Sequence, residues 1–242
     1  MKQFISAIII LAFGFTSCTK TVDTTTTVPI TPGTGSTTVG PAFIKFYNVM
    51  DYGNINVTLG GTSIGDVALY YSTAYKSIAA GNKNIKVTLG GSTIIDVFAD
   101  LVGDKYYSCF IYRVGFNWRV SIVTDDLTTP AAGKASVRVL DFRTQAYFDY
   151  VKLKIFSLGL DQIDYVNRNF LDHLSYDTYT TFRPLAAGTY TTNVFNDTGI
   201  LANKSGLVLG NGKIYTLVLM TPADLTAAEA LKFINIDFST LK

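Results

Sequence analysis

Ala42-Phe-Ile-Lys-Phe-Tyr-Asn48 is the stretch that decides the fold. Its apolar side chains alternate with polar ones, and alternation puts them on one face of an extended strand. Ile55-Asn-Val-Thr-Leu59, Ile85-Lys-Val-Thr-Leu89 and Trp118-Arg-Val-Ser-Ile122 read the same way. All are rich in β-branched and aromatic residues. Between such runs stand turn formers: Asp51-Tyr-Gly-Asn54, Gly60-Gly61, Gly81-Asn-Lys83 and Gly90-Gly91. The pattern predicts half-buried antiparallel strands joined by short turns. Helical periodicity is scarce. Thr221-Pro-Ala-Asp-Leu-Thr-Ala-Ala-Glu-Ala-Leu231 is the best helix candidate, with Pro222 suited to a first turn and Ala the strongest helix former.

Working outward, the chain repeats itself. Ala42–Asn48 is matched by Ala135-Ser-Val-Arg-Val-Leu-Asp141, Ile78-Ala-Ala-Gly81 by Leu185-Ala-Ala-Gly188, and Lys105-Tyr-Tyr107 by Lys213-Ile-Tyr215. The offsets are 93, 107 and 108, so the second copy gains 14 residues early, placed at about 156–176. The copies divide as 41–130 and 131–242, joined through Thr128-Thr-Pro-Ala-Ala-Gly133. Seven or eight strands in about 90–110 residues suit an immunoglobulin-like sandwich. The expected architecture is therefore all-β, with two tandem immunoglobulin-like antiparallel β-sandwich domains. Gly81 and Gly188 are expected at positive φ, with the paired alanines before each letting the corner approach the core.

Residues 1–17 read as a secretory leader: Lys2 supplies the positive start, and Phe4 to Phe15 is an apolar run. That run is short of the about 20 residues that a permanent membrane helix needs. Phe15-Thr16-Ser17-Cys18 is similar to a bacterial lipobox, which makes Cys18 the expected lipidation site and new N-terminus. Acyl chains bury about 0.8 kcal/mol per CH₂, enough for several chains to anchor the protein. Residues 18–40 then form a tether. Ten of residues 19–40 are Thr, with two Pro and three Gly, too little apolar surface to offset chain entropy. A disordered linker is the expectation, reaching about 70 Å at roughly 3.3 Å per residue. Asp23-Thr24-Thr25 resembles the Asp-(Ser/Thr)-X motif glycosylated in many Bacteroidetes envelope proteins, which makes Thr24 a candidate O-glycosylation site.

Composition excludes several functions. Of 242 residues, 16% are charged, and Lys+Arg 20 against Asp+Glu 18 leaves +2. No clustered excess of cation is present for a nucleic-acid backbone. One His, one Glu and two Cys are too few for chemistry built on several such groups. No cofactor and no metal are expected.

The ordered motifs are a Tyr before an Ala-Ala-Gly turn (Tyr75 to Gly81), a Gly-X-Lys-X-Tyr lead into a strand (Gly103 to Tyr107), and Asp125-Asp-Leu-Thr-Thr-Pro-Ala-Ala-Gly-Lys-Ala135. Together these resemble the family known as domain of unknown function 4397, found as tandem β domains in bacterial envelope lipoproteins, especially of Bacteroidetes. The resemblance implies the fold and an outer-membrane, cell-envelope location. It brings no catalytic residues. The second copy departs from the pattern at its insertion and at Asn211-Gly212-Lys213.

With Cys18 committed to the leader, Cys109 lies alone in an alternating strand and reads as a small buried hydrophobe. His173 has no Gly-X-Ser-X-Gly partner for a triad and too few companions for zinc. Asp161 and Asp164 lack calcium-loop spacing. Glu229 is the sole Glu, and Asp125-Asp126 point to opposite faces if extended, so paired carboxylates for glycoside cleavage are wanting. Tyr165, Asn167, Arg168, Asp172 and His173 gather planar donors, acceptors and a ring on the inserted segment, a candidate recognition loop. Gly115-Phe116-Asn-Trp118 is a hairpin tip where aromatics are placed to stack on sugars, unless Trp118 turns inward with Val120 and Ile122.

The sequence therefore reads as a non-enzymatic, lipid-anchored binding or adhesion module for a glycan or an envelope protein. The alternative is a structural spacer or assembly subunit. A hydrolase is the least favoured reading.

Overall fold

The computed structural model describes residues 40–50, 52–143, 150–159, 162–169, 171–196, 199–220 and 232–237. The leader with Cys18, the linker with Thr24 and the helix expected at 221–231 lie outside the described residues.

Sixteen strands are described, in four sheets of four. The first eight form two sheets. One has the order β4-β1-β7-β8, built from Lys76–Ala79, Pro41–Asn48, Tyr106–Val114 and Asn117–Asp125. The other has the order β3-β2-β5-β6, built from Thr62–Val67, Ile55–Leu59, Gly81–Leu89 and Ser92–Leu101. The second eight follow the same two orders. β12-β9-β15-β16 comprises Arg183–Ala186, Lys134–Asp141, Ile214–Met220 and Lys232–Asp237. β11-β10-β13-β14 comprises Ile163–Asn169, Tyr150–Phe156, Gly188–Asn196 and Gly199–Leu209. The all-β, sandwich-like architecture is as the alternation foretold. One pairing in each unit is parallel, β1 with β7 and β9 with β15. Alternation reports which face is buried and is silent on strand direction.

The Gly60-Gly61 and Gly90-Gly91 turns have positive φ at both residues, the geometry that two-residue hairpins need. Gly81 is also at positive φ (103°), whereas Gly188 is not among the positive-φ glycines, which corrects that expectation. Of the paired alanines, Ala79 is exposed and Ala80, Ala186 and Ala187 are half-buried. The stretch 156–176 is not one loop either, because β11 runs through it and pairs with β10. Part of the added length sits between Phe156 and Ile163. More lies between Asn169 and Arg183, where two short 3-10 turns form at Asp172–Leu174 and Asp177–Tyr179.

Each unit has its own core. Ile44, Phe46, Cys109 and Ile111 meet Val57, Ile85 and Val87 in the first, and Val137, Val139 and Leu217 meet Leu153, Ile155 and Val194 in the second. A third core lies between the units: Tyr47, Phe110, Tyr112 and Val123 pack with Leu140, Phe142, Val218 and Met220. These residues alternate with the inner-core ones along β1, β7, β9 and β15. Those strands are therefore buried on both faces, and the sheets stack four deep. Phe142 sits at the centre of this seam, 5.0 Å from the Phe110 ring and 5.1 Å from that of Tyr112.

Candidate functional site

The lead-in motif Lys-X-Tyr has a structural explanation. The Tyr107 hydroxyl accepts the Val102 N–H at 3.0 Å, and the Tyr215 hydroxyl accepts the Gly210 N–H at 2.9 Å. Each ring is buried at its strand's start while its hydroxyl ties down the turn five residues earlier. The carbonyls of Lys105 and Lys213 accept the N–H groups of Phe43 and Ser136, both at 2.9 Å, which extends the parallel pairing.

The seam carries a buried polar network. Asp125 accepts hydrogen bonds from the Tyr75 hydroxyl at 2.5 Å and from Ser108 at 2.7 Å, and it pairs with Arg138 of the second unit. Arg138 also donates through Nε to the Thr216 hydroxyl at 2.9 Å and through Nη1 to the Thr124 carbonyl at 3.1 Å. Buried charges are tolerable only when paired and hydrogen-bonded, and this one is both. Burial and the Asp125 carboxylate push the Tyr75 hydroxyl well above its ordinary pKa.

The inserted segment is built into this interior. Arg168 holds Asp172 with two bonds, Nε to Oδ2 at 2.5 Å and Nη2 to Oδ1 at 2.7 Å, reaches the Val139 carbonyl at 3.0 Å, and lies 4.2 Å over the Tyr179 ring. Arg143 pairs with Asp141 at 2.8 Å and donates to the Arg168 carbonyl at 3.2 Å. His173 is 4% exposed, 4.6 Å from the Phe142 ring and 3.3 Å from the Ser121 hydroxyl of the first unit. Burial, then Arg168 and Arg138, lowers its pKa to about 3. The reading of Arg168, Asp172 and His173 as a solvent-facing recognition loop is thus corrected: the seam absorbs all three side chains. Tyr165 and Asn167 lie on β11, and their side chains are outside the described residues. Cys109 is wholly buried, with burial pushing its thiol pKa up. Among the described residues no cluster of His, Cys, Asp or Glu is arranged to hold a metal.

The hairpin tip behaves differently. Phe116 is 94% exposed in the turn between β7 and β8. Trp118 is half-buried against the first core, and its ring meets Tyr52 edge-on at 5.8 Å. The Arg113 guanidinium lies 4.1 Å over Tyr52 and 5.4 Å from Trp118. Tyr52, 45% exposed, follows β1, and Tyr71, 70% exposed, passes its carbonyl to the N–H of Asn48 where β1 ends. The register of β1 on β7 places all these loops at one end of the first unit. Tyr52 and Tyr71 were not among the sequence candidates. The turn residues Asp51-Tyr-Gly-Asn54 were a cue that a Tyr sits on a loop, but only the fold brings that loop to Trp118.

At the opposite end an open groove of about 1280 Å³ runs between the units, lined by Phe43, Tyr75 and Tyr106 on one side and Phe182 and Lys213 on the other. These positions lie far apart in the sequence and are brought together by the packing of the two units.

Residues 42–147 match the family model described as "Domain of unknown function (DUF4397)". That range contains all three motifs on which the resemblance was drawn. No curated protein matches the chain. Among solved structures, the N-terminal domain of AlgF from P. aeruginosa is 24% identical, with 36% of this chain and 95% of that one covered and a TM-score of 0.29. A carbohydrate-binding module of family CBM26 from Eubacterium rectale Amy13K, solved with maltoheptaose, is 10% identical over 81% of this chain and 97% of that one, at a TM-score of 0.27. A leucine-rich repeat protein from Bacteroides thetaiotaomicron is 12% identical over 76% of this chain and 26% of that one, at 0.22. None superposes well enough to inform this chain.

Proposed function

We propose that this is a non-enzymatic, lipid-anchored protein of the cell envelope, in the outer membrane, that recognises a glycan or an envelope protein through the loop end of its first unit. One observation carries the reading: the half-exposed Tyr52 ring lies against Arg113 and Trp118, and Phe116 and Tyr71 are exposed at the same end of the first unit. Exposed Tyr, Trp and Arg are the side chains that dominate binding energy at protein surfaces, and rings also stack on sugar C–H faces. Rigid strands hold these loops in place, which limits the entropy lost on binding. The groups that would serve a hydrolase are held elsewhere, since His173 and Cys109 are buried.

The full chain carrying Cys18→Ala, which cannot insert through a lipid, should bind outer-membrane vesicles of the source cells, and adding Tyr71→Ala with Phe116→Ala should weaken this about tenfold. Equal binding with and without those two changes overturns the reading. Protease shaving of intact cells, with a Cys18→Ala control, tests the anchor and the exposed face. The four-layer stack favours a second reading, a rigid spacer. It is preferred if vesicle binding is absent while shaving still releases the folded units.

A further inference from the structure

The groove is built from equivalent positions of the two units. Tyr75 and Phe182 stand three residues ahead of Ile78-Ala-Ala-Gly81 and Leu185-Ala-Ala-Gly188. A cation lies under each ring: Lys45 at 5.4 Å from Tyr75, Arg138 at 4.4 Å from Phe182. Lys45 and Arg138 hold the same place in β1 and β9, at the offset of 93. Lys105 and Lys213 lead into β7 and β15 in the same way. Each unit thus turns the same edge toward the space between them, and the groove exists only where both are present.

We propose that this groove binds a segment of neutral oligosaccharide. This goes beyond the loop-end reading, because it uses other residues at the other end of the first unit. Three aromatic rings form one wall, with Phe43 stacked on Tyr106 at 4.6 Å and Tyr75 edge-on to Tyr106 at 5.3 Å. Phe182 stands on the facing unit, so sugar C–H faces meet rings on both sides. Thr128, Thr181, Asp126 and Lys213 line the same space and supply the donors and acceptors that hydroxyl groups require. Charge decides against other polymers. Asp104 and Asp126 offset Lys105 and Lys213 along the lining, and Asp125 is neutralised by Arg138, so no net field draws a polyanion or a polycation. The groove is open rather than enclosed, which suits a chain lying along it.

The test is an array of neutral and acidic oligosaccharides probed with the full chain, followed by calorimetric titration of the strongest neutral binder. Thr181→Trp fills the groove from an exposed position. It should weaken binding about tenfold or more while leaving the thermal midpoint unchanged. Phe182→Ala should do the same, but it also uncovers Arg138, so Thr181→Trp is the deciding variant. Phe116→Ala should have no effect on this binding. The proposal is overturned if no neutral oligosaccharide binds, if only acidic ones do, or if Thr181→Trp binds as wild type does. Binding lost in Phe116→Ala alone overturns the groove and leaves the loop-end reading standing.

Discussion

Arg138 of the second unit reaches across the seam to Asp125 of the first, and both side chains are fully buried. Neither charge has access to water, so each depends on the other and on the hydroxyls of Tyr75, Ser108 and Thr216. Removing one partner strands the other charge, and such changes cost about 3–5 kcal/mol. Asp125→Ala should lower the urea-unfolding free energy by that amount. The double change Asp125→Leu with Arg138→Met should recover part of it. A single variant as stable as wild type would show that the pair is not desolvated.

The two tyrosine hydroxyls that close the turns at Val102 and Gly210 are equivalent and separately placed. Tyr107→Phe and Tyr215→Phe should each cost about 1 kcal/mol, the usual worth of a hydrogen bond whose partner is left behind. With no shared partner, the double variant should show the sum. Denaturant midpoints measure this, and a loss confined to one variant would break the equivalence.

His173 supplies a pH dependence whose sign follows from its burial. Its folded pKa, about 3, lies below the unfolded value of 6.5. The unfolded chain therefore takes up a proton that the folded one refuses. The stability is whole above pH 6.5 and falls as pH drops from there toward 3, at about 1.4 kcal/mol per unit within that window. His173→Gln should flatten that slope relative to wild type. Parallel stability curves for the two proteins between pH 6.5 and 4 would show that the imidazole is reached by solvent.

Cys109 lies in the first core with its thiol pKa raised by burial. A thiol-specific aromatic disulfide reagent should leave it untouched in the native state and modify it at the rate of unfolding. Prompt modification at neutral pH, in a Cys18→Ala background, would contradict the packing.

The strands and their turns were legible because each depends on local chemistry. Alternation along Ala42–Asn48 and Ala135–Asp141 names the buried face, and Gly60-Gly61 and Gly90-Gly91 permit only tight reversals. The family match over 42–147 was legible for the same reason, since Tyr107 and the turn it ties are five residues apart. β15 carries a further signal. Ile214-Tyr-Thr-Leu-Val-Leu-Met220 is apolar on nearly every residue, the mark of a strand covered on both faces.

The site was not legible. Arg168, Asp172 and His173 read as a polar loop because sequence shows polarity and not what folds over it. Arg168 and Asp172 pair with each other, and the interior adds partners from distant strands, Val139 for Arg168 and Ser121 for His173. Arg113 and Trp118 face each other across one hairpin, whereas Tyr52, some sixty residues earlier, reaches them only through the register of β1 on β7. The sequence by itself determined the strands and the turns, whose causes lie within a few residues. The tertiary structure decided which second face is covered, and with it which charges are interior and where a groove opens, because those depend on the packing of one unit against the other.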